Sequence, residues 1–135
     1  TERQLTYLFQ KMLNFVVHNF NEISITDNEI ILKTISFVRE NYSKPEVSLA
    51  EAADLCNVSQ EYLSRLFQQE TGTKFISFLQ NFRVSMAKRM LLSDRQSKVY
   101  EIAEAVGYRD QKYFVSVFKK LCGMTPSEFR KEKEI

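Results

Sequence analysis

The side chains with chemistry to offer gather on one face of a single stretch, Asp110 to Arg130, which reads DQKYFVSVFKKLCGMTPSEFR. At helical spacing Lys112, Val115, Ser116 and Lys119 share a side. Behind them Phe114, Val117, Phe118 and Leu121 fall at i, i+3, i+4 and i+7 and predict a narrow apolar stripe. Asp110 is placed to cap this helix and Gly123 to end it. Thr125-Pro126-Ser127-Glu128 then opens another helix, with Pro at its first position and the spacing of a capping box. One face anchored and the other polar, basic and short is the pattern of a recognition helix, a surface that binds and does not catalyse.

The remaining reactive residues point the same way. Cys56 and Cys122 are far apart and lack CxxC spacing, so they read as reduced, cytosolic thiols. With only His18 to assist, they fit no zinc pattern, and nothing resembles the four-cysteine metal site of DNA-alkyl-repair chemistry. The expectation is no enzyme, no cofactor and no metal. No apolar run reaches membrane-spanning length and no leader resembles a signal peptide, so no membrane association is expected. A chain that starts at Thr1 reads as an excised or processed piece of a longer protein.

The elements that must position the stretch are helices. In 135 residues, 44% are hydrophobic, with three glycines and two prolines, a composition for a compact, mostly helical protein. Residues 1–30 hold two basic and four acidic side chains, and residues 31–135 hold 17 basic and 13 acidic. A mildly basic body with an acidic N-terminal appendage permits nucleic-acid binding.

Thr1 to about Glu22 carries Leu5, Leu8, Phe9, Met12, Leu13, Phe15, Val16 and Phe20, a broad stripe that predicts a helix docked on its own domain or left from an upstream one. A homodimer contact is the other use for such a stripe. Thr26-Asp27-Asn28-Glu29 has capping-box spacing, and Ile30, Ile31, Thr34, Ile35 and Val38 predict a helix ending near Tyr42. Ser43 to Glu46 is a loop. Ser48-Leu49-Ala50-Glu51 starts a short helix through Ala52, Ala53 and Leu55, Asn57-Val58 turns the chain, and Ser59 caps the next helix. There Leu63, Leu66 and Phe67 form the buried stripe, with Glu61, Ser64, Arg65 and Gln68 on the far face, and Gly72 ends it. Thr73 to about Leu92 is one long helix, with Phe75, Leu79, Phe82, Met86 and Met90 stepping along it. After a polar break, Val99 to Val106 makes another short helix. Arg130, Lys131 and Lys133 read as a solvated helix end.

Shifting the chain by 51 positions lays Ala52 on Ala103, Gln60 on Gln111, Tyr62 on Tyr113, Phe67 on Phe118, Gly72 on Gly123 and Phe78 on Phe129. Leu55/Val106 and Leu66/Val117 match in kind. Each unit is a short helix, a tight turn and a second helix, the helix-turn-helix arrangement. Neither has enough apolar residues to fold alone, so the long helix between them is their shared spine. The predicted fold is all-α: two helix-turn-helix subdomains joined by a long linker helix, with an extra N-terminal helix. Residues 29–72 would be the first unit, 73–92 the linker and 93–135 the second, with 1–28 coming from an upstream region. At about 1.5 Å per residue the linker spans roughly 30 Å, close to the ~34 Å between successive major-groove faces of B-DNA.

From Ile30 to Arg130 the chain resembles the AraC/XylS family of bacterial transcription regulators. The residues that carry the resemblance are SLAEAADLCNVSQEYLSRLFQQETG, the FR of Phe82-Arg83, AKRMLL, and IAEAVGYRDQKYFVSVFKKLCGMTPSEFR. The YRDQ-YF segment looks like regulators whose N-terminal part is a signal receiver or ligand domain, and Cys56 and Cys122 depart from the commoner residues at their positions. The resemblance implies a cytoplasmic, sequence-specific binder of double-stranded promoter DNA, with RNA polymerase as a partner and a sensory domain upstream. Carried over by position, it implies groove-facing roles for Gln60, Glu61, Ser64 and Arg65 in the first unit and for Gln111, Lys112, Val115 and Ser116 in the second. Arg suits guanine O6 and N7, and Gln suits adenine N6 and N7. Lys74, Arg109, Lys119 and Lys120 are the expected phosphate contacts. The competing reading is a helical protein-interaction module that has lost DNA binding.

Overall fold

A helix at the middle of the chain, from Phe75 to Ser93, carries the apolar walls of two separate cores. The computed structural model describes residues 6–11 and 25–134. Its helices are α1 (Ile25–Asn41), α2 (Leu49–Leu55), α3 (Gln60–Thr71), α4 (Phe75–Ser93), α5 (Val99–Ala105), α6 (Gln111–Cys122) and α7 (Pro126–Glu132), with a further helical stretch over residues 6–11. No strand occurs among the described residues. α1, α2 and α3 pack as the first unit against the start of α4, and α5, α6 and α7 pack as the second against the rest of it.

The boundaries follow from local chemistry. Ser48 Oγ accepts the Glu51 N–H, Ser59 Oγ accepts the Tyr62 N–H, and Asp110 Oδ1 accepts those of Lys112 and Tyr113. Thr125 and Glu128 complete a reciprocal capping box ahead of Pro126, at 2.8 and 3.1 Å. That backbone hydrogen bond holds the Glu128 carboxyl below the ordinary carboxylate range. α3 and α6 both end on glycines in the left-handed conformation, Gly72 and Gly123. α1 begins at Ile25, so Thr26 lies inside the helix and not at its cap.

The first core gathers Ile31, Ile35 and Val38 of α1, Leu63 and Phe67 of α3, and Phe75, Phe78, Leu79 and Phe82 of α4. The second gathers Val84, Ala87 and Leu91 of α4 with Ile102, Val106, Phe114, Phe118 and Phe129. The ring pairs repeat: Phe67 lies 5.6 Å from Phe78, and Phe118 lies 5.8 Å from Phe129. α4 is therefore buried almost all round between Phe82 and Ser85. The single stripe read from Phe75, Leu79, Phe82, Met86 and Met90 misses Phe78, Val84, Ala87 and Leu91, which serve the other sides.

Three expectations need correcting. Leu121 is exposed, because the buried stripe of α6 ends at Phe118 and in the last turn it is Cys122 that meets the core. Leu55 is also exposed and is no counterpart of the fully buried Val106. The cause is the register of the repeat. Val58 N bonds Ala53 O, as Tyr108 N bonds Ala103 O, so the short helices and their turns superpose at a shift of 50 and only the second helices at 51. Ala53, not Ala52, is thus the partner of Ala103, and the second turn carries one extra residue, Arg109. Last, Arg130 is not a solvated helix end. Its guanidinium donates to the carbonyls of Leu91, Asp94 and Ser97, closing off the C-terminus of α4.

Of the apolar N-terminal positions, Leu8 and Phe9 are described; Leu5, Met12, Leu13, Phe15, Val16 and Phe20 lie outside the described residues, as does His18. Phe9 packs edge-on against Phe82 at 6.0 Å, and the Arg39 guanidinium lies 5.2 Å over its ring. This part of the stripe docks on its own domain.

Phe67 and Phe118 are fully buried at equivalent positions. Phe67→Ala and Phe118→Ala should each cost about 3–5 kcal/mol, from the cavity as well as the lost transfer free energy. Thermal or denaturant melts check this, and parental stability for either variant would mean that the ring is not core.

Candidate nucleic-acid interface

α3 and α6 each bury one stripe and leave the opposite face to solvent. On α3, Leu63, Leu66 and Phe67 go inward, while Gln60, Glu61, Ser64 and Arg65 are all exposed. On α6, Phe114, Val117 and Phe118 go inward, while Gln111, Lys112 and Ser116 are exposed. Val115 differs from the rest of its set: it is half-buried and packs against the second core, leaving only part of its side chain for contact. The four residues of α3 therefore share an exposed face, whereas on α6 three do and Val115 turns partly inward.

The cations divide by position. Lys119 and Lys120 are exposed in the last turn of α6, and Lys74 is exposed at the N-cap of α4. Arg109 projects from the extra turn residue, with its NH2 group 3.8 Å from Glu46 Oε2 in the loop after α1. Both ends of that pair are solvated, so its attraction is weak and a phosphate could replace the carboxylate. The two faces are also unlike in charge. α6 carries Lys112, Lys119 and Lys120 and no acidic residue, while α3 sets Glu61 and Glu70 against Arg65.

Two tyrosines, paired by the repeat but given no role by sequence reasoning, fix these helices to the body. The Tyr62 hydroxyl donates to Asp27 Oδ1 of α1 at 2.7 Å, and the Arg65 guanidinium lies 5.9 Å over the Tyr62 ring. The Gln80 amide of α4 donates to the Tyr113 hydroxyl at 3.2 Å, and the Tyr113 ring meets Tyr108 at 5.8 Å. The first tether sits directly beneath an exposed arginine, so α1 orients the platform on which Arg65 rests. Their recurrence at one shift in both units was the available signal.

The cysteines stay apart from this surface. Both are free; Cys56 Sγ lies 3.8 Å from Thr34 Oγ1 and from Ile30 O, and burial pushes the Cys122 thiol up. Among the described residues no cluster of three or more His, Cys, Asp or Glu could hold a metal ion, and no helix is long and apolar enough to cross a membrane.

Residues 52–132 match the sequence profile of a family described as "Helix-turn-helix domain". The uncharacterized transcriptional regulatory protein YesN of Bacillus subtilis is 41% identical over 106 residues, which are 77% of this chain and 29% of that protein. The arabinose operon regulatory protein of Escherichia coli is 34% identical over 104 residues, 77% of this chain and 35% of its own length. The chain thus spans about a third of these curated relatives. Among solved structures, the C-terminal domain of AraT, a response regulator from Geobacillus stearothermophilus, superposes with a TM-score of 0.76 at 37% identity, covering 78% of this chain and 87% of that one.

The Tyr62–Asp27 bond is the largest cause holding the Tyr62 phenol above its ordinary value of 10.0, with the Asp27 charge adding to it. Asp27→Asn should lower that titration toward the ordinary value. Ring-carbon NMR across alkaline pH measures it, and an unmoved Tyr62 would mean that the bond does not persist in solution.

Proposed function

The chain belongs to the AraC-type helix-turn-helix family, and on that premise we propose that it is the DNA-binding part of a transcription regulator, inserting α3 and α6 into successive major-groove segments of a promoter. The observation that carries the reading is the pairing of two such helices on one rigid spine. α4 has 19 residues, about 28 Å at the usual rise, against the ~34 Å repeat of the groove. A single chain then does what simple helix-turn-helix proteins do as dimers, and the duplex bends to meet both helices.

In this reading Gln60, Glu61, Ser64 and Arg65 meet base edges from α3, and Gln111, Lys112, Val115 and Ser116 do so from α6. Arg65 suits guanine and the two glutamines suit adenine. Lys74, Arg109, Lys119 and Lys120 neutralise phosphates, and the basic α6 supplies more of the attraction than the mixed α3. Residues 29–72, 73–92 and 93–135 serve as first unit, linker and second unit, and 1–28 lead in from a sensory domain. RNA polymerase is the partner through which binding changes transcription, in the cytoplasm, and the chain itself catalyses nothing.

Footprinting on a duplex selected from a random library should protect two groove segments on one face, and protection of one segment alone would overturn the two-helix reading. Lys119→Ala and Lys120→Ala should weaken binding equally on selected and random DNA, each lowering the salt slope by about one. Arg65→Ala should cost roughly 1–3 kcal/mol and relax choice at one base pair. If all three variants behave alike, the roles are wrongly divided.

Glu61 opens α3 with a carboxylate facing outward. It repels phosphates, gains from the helix dipole, and accepts a bond only from a base such as cytosine, through N4. Glu61→Ala should therefore hold random DNA more tightly and discriminate less at one position. A base-by-base affinity matrix with a parallel melt checks this; an unchanged matrix with a lower melting temperature would reduce Glu61 to a helix-start residue.

A further inference from the structure

The two units meet at a seam that the reading of their outer faces leaves unused. Its centre is Arg83, a guanidinium in the middle of α4 that is only 6% exposed. Nε donates to Tyr42 O at 2.9 Å and an NH2 group donates to Lys44 O at 2.8 Å, both in the chain that leaves α1 in the first unit. The same guanidinium lies 5.3 Å over the ring of Tyr108, in the turn of the second unit. Tyr42 closes the arrangement, with its ring 5.3 Å from Phe82 and its side chain packed against both cores.

Gly107 brings the second turn onto this point. Its φ of +99° is one that L side chains rarely adopt, and a Cβ there would stand 2.5 Å from Tyr42 O and 2.8 Å from Arg83 Nε. The backbone of one unit's turn thus rests directly on the carbonyl that ends the other unit's first helix. The Arg109–Glu46 pair spans the same seam further out, where solvent weakens it.

We propose that Arg83, seated against Gly107 and Tyr108, is a positioning residue that sets the relative orientation of α3 and α6, so that one chain engages two groove segments at once. Resting on the DNA-binding reading above, this goes beyond it by assigning the coupling between the two reading helices to a side chain that touches no DNA. A planar guanidinium is suited to the task because it donates in two directions and offers a flat face to a ring, which an ammonium cannot do. If the seam is rigid, the second helix meets its segment as an intramolecular event at high effective concentration; if it is loose, that advantage falls.

The test compares the full chain with Arg83→Gln on two kinds of duplex, a library-selected site with both segments intact and the same site with either segment scrambled. Arg83→Gln should lower affinity for the intact site by tenfold or more and change affinity for the scrambled sites by less than about twofold. Equal loss on every duplex, or no loss on any, would overturn the proposal. A second measurement needs no DNA: amide residual dipolar couplings should fit one alignment tensor for both units in the parent and require two in the variant. If the parent bound no duplex, the DNA-binding reading would fail while the couplings still decided the seam, and a single tensor in both proteins would overturn it. Should Arg83→Gln fail to fold, Arg83→Lys, which keeps the charge and loses the planar fork, is read by the same two criteria.

Discussion

A buried guanidinium has few places to exist, and that constraint organises this molecule. Leaving such a charge without partners would cost several kcal/mol, so the backbone of another element must bring carbonyls to it. Arg83 finds them at Tyr42 and Lys44 and covers its remaining face with the Tyr108 ring. Burial still disfavours the charged form, drawing the guanidinium below its ordinary value and raising the Tyr108 phenol, although their mutual attraction opposes both shifts. Half-buried Arg130 does similar work at the other end of α4, donating to one carbonyl of its last turn, Leu91 O, and to Asp94 O and Ser97 O in the chain that follows. The spine is pinned at its middle and its end by arginines that a composition count would assign to the surface.

The outward faces of α3 and α6 rely on this frame without taking part in it. Each is presented by a capped helix with a buried stripe behind it and a tyrosine tether beside it. The two faces differ in charge, α6 carrying three lysines and no carboxylate and α3 setting Glu61 and Glu70 against Arg65. On the proposed reading the first would draw in a polyanion with little regard to sequence, and the second would trade attraction for discrimination. The two faces are neither duplicates nor interchangeable.

Much of the fold was legible because its signals are local. Caps at Ser59, Asp110 and Thr125, terminal glycines at 72 and 123, and the stripes of α3 and α6 all act within a turn or two of where they are read. The repeat was visible through Phe67/Phe118 and Phe78/Phe129, which are large and hold equivalent core positions. What sequence could not show was set across long separations. A helix buried on several sides has no single period, so Val84 and Leu91 escaped the stripe that found Phe75 and Leu79. The one-residue difference in the turns was masked because the aromatic matches lie beyond it, and that slip mispaired Leu55 with Val106. Arg83 and Arg130 gave no local sign that their acceptors lay some forty residues away in the chain.

The extra residue in the second turn sets the two halves apart in how they can be altered. Because Arg109 has no counterpart before α3, the turn of one unit placed alone in the other would shift the helix after it by one position relative to the helix before it, so the turns are not interchangeable by themselves. The outward side chains of α3 and α6, Val115 apart, hold up neither core, so either face can be rewritten on its own without loosening the seam between the units.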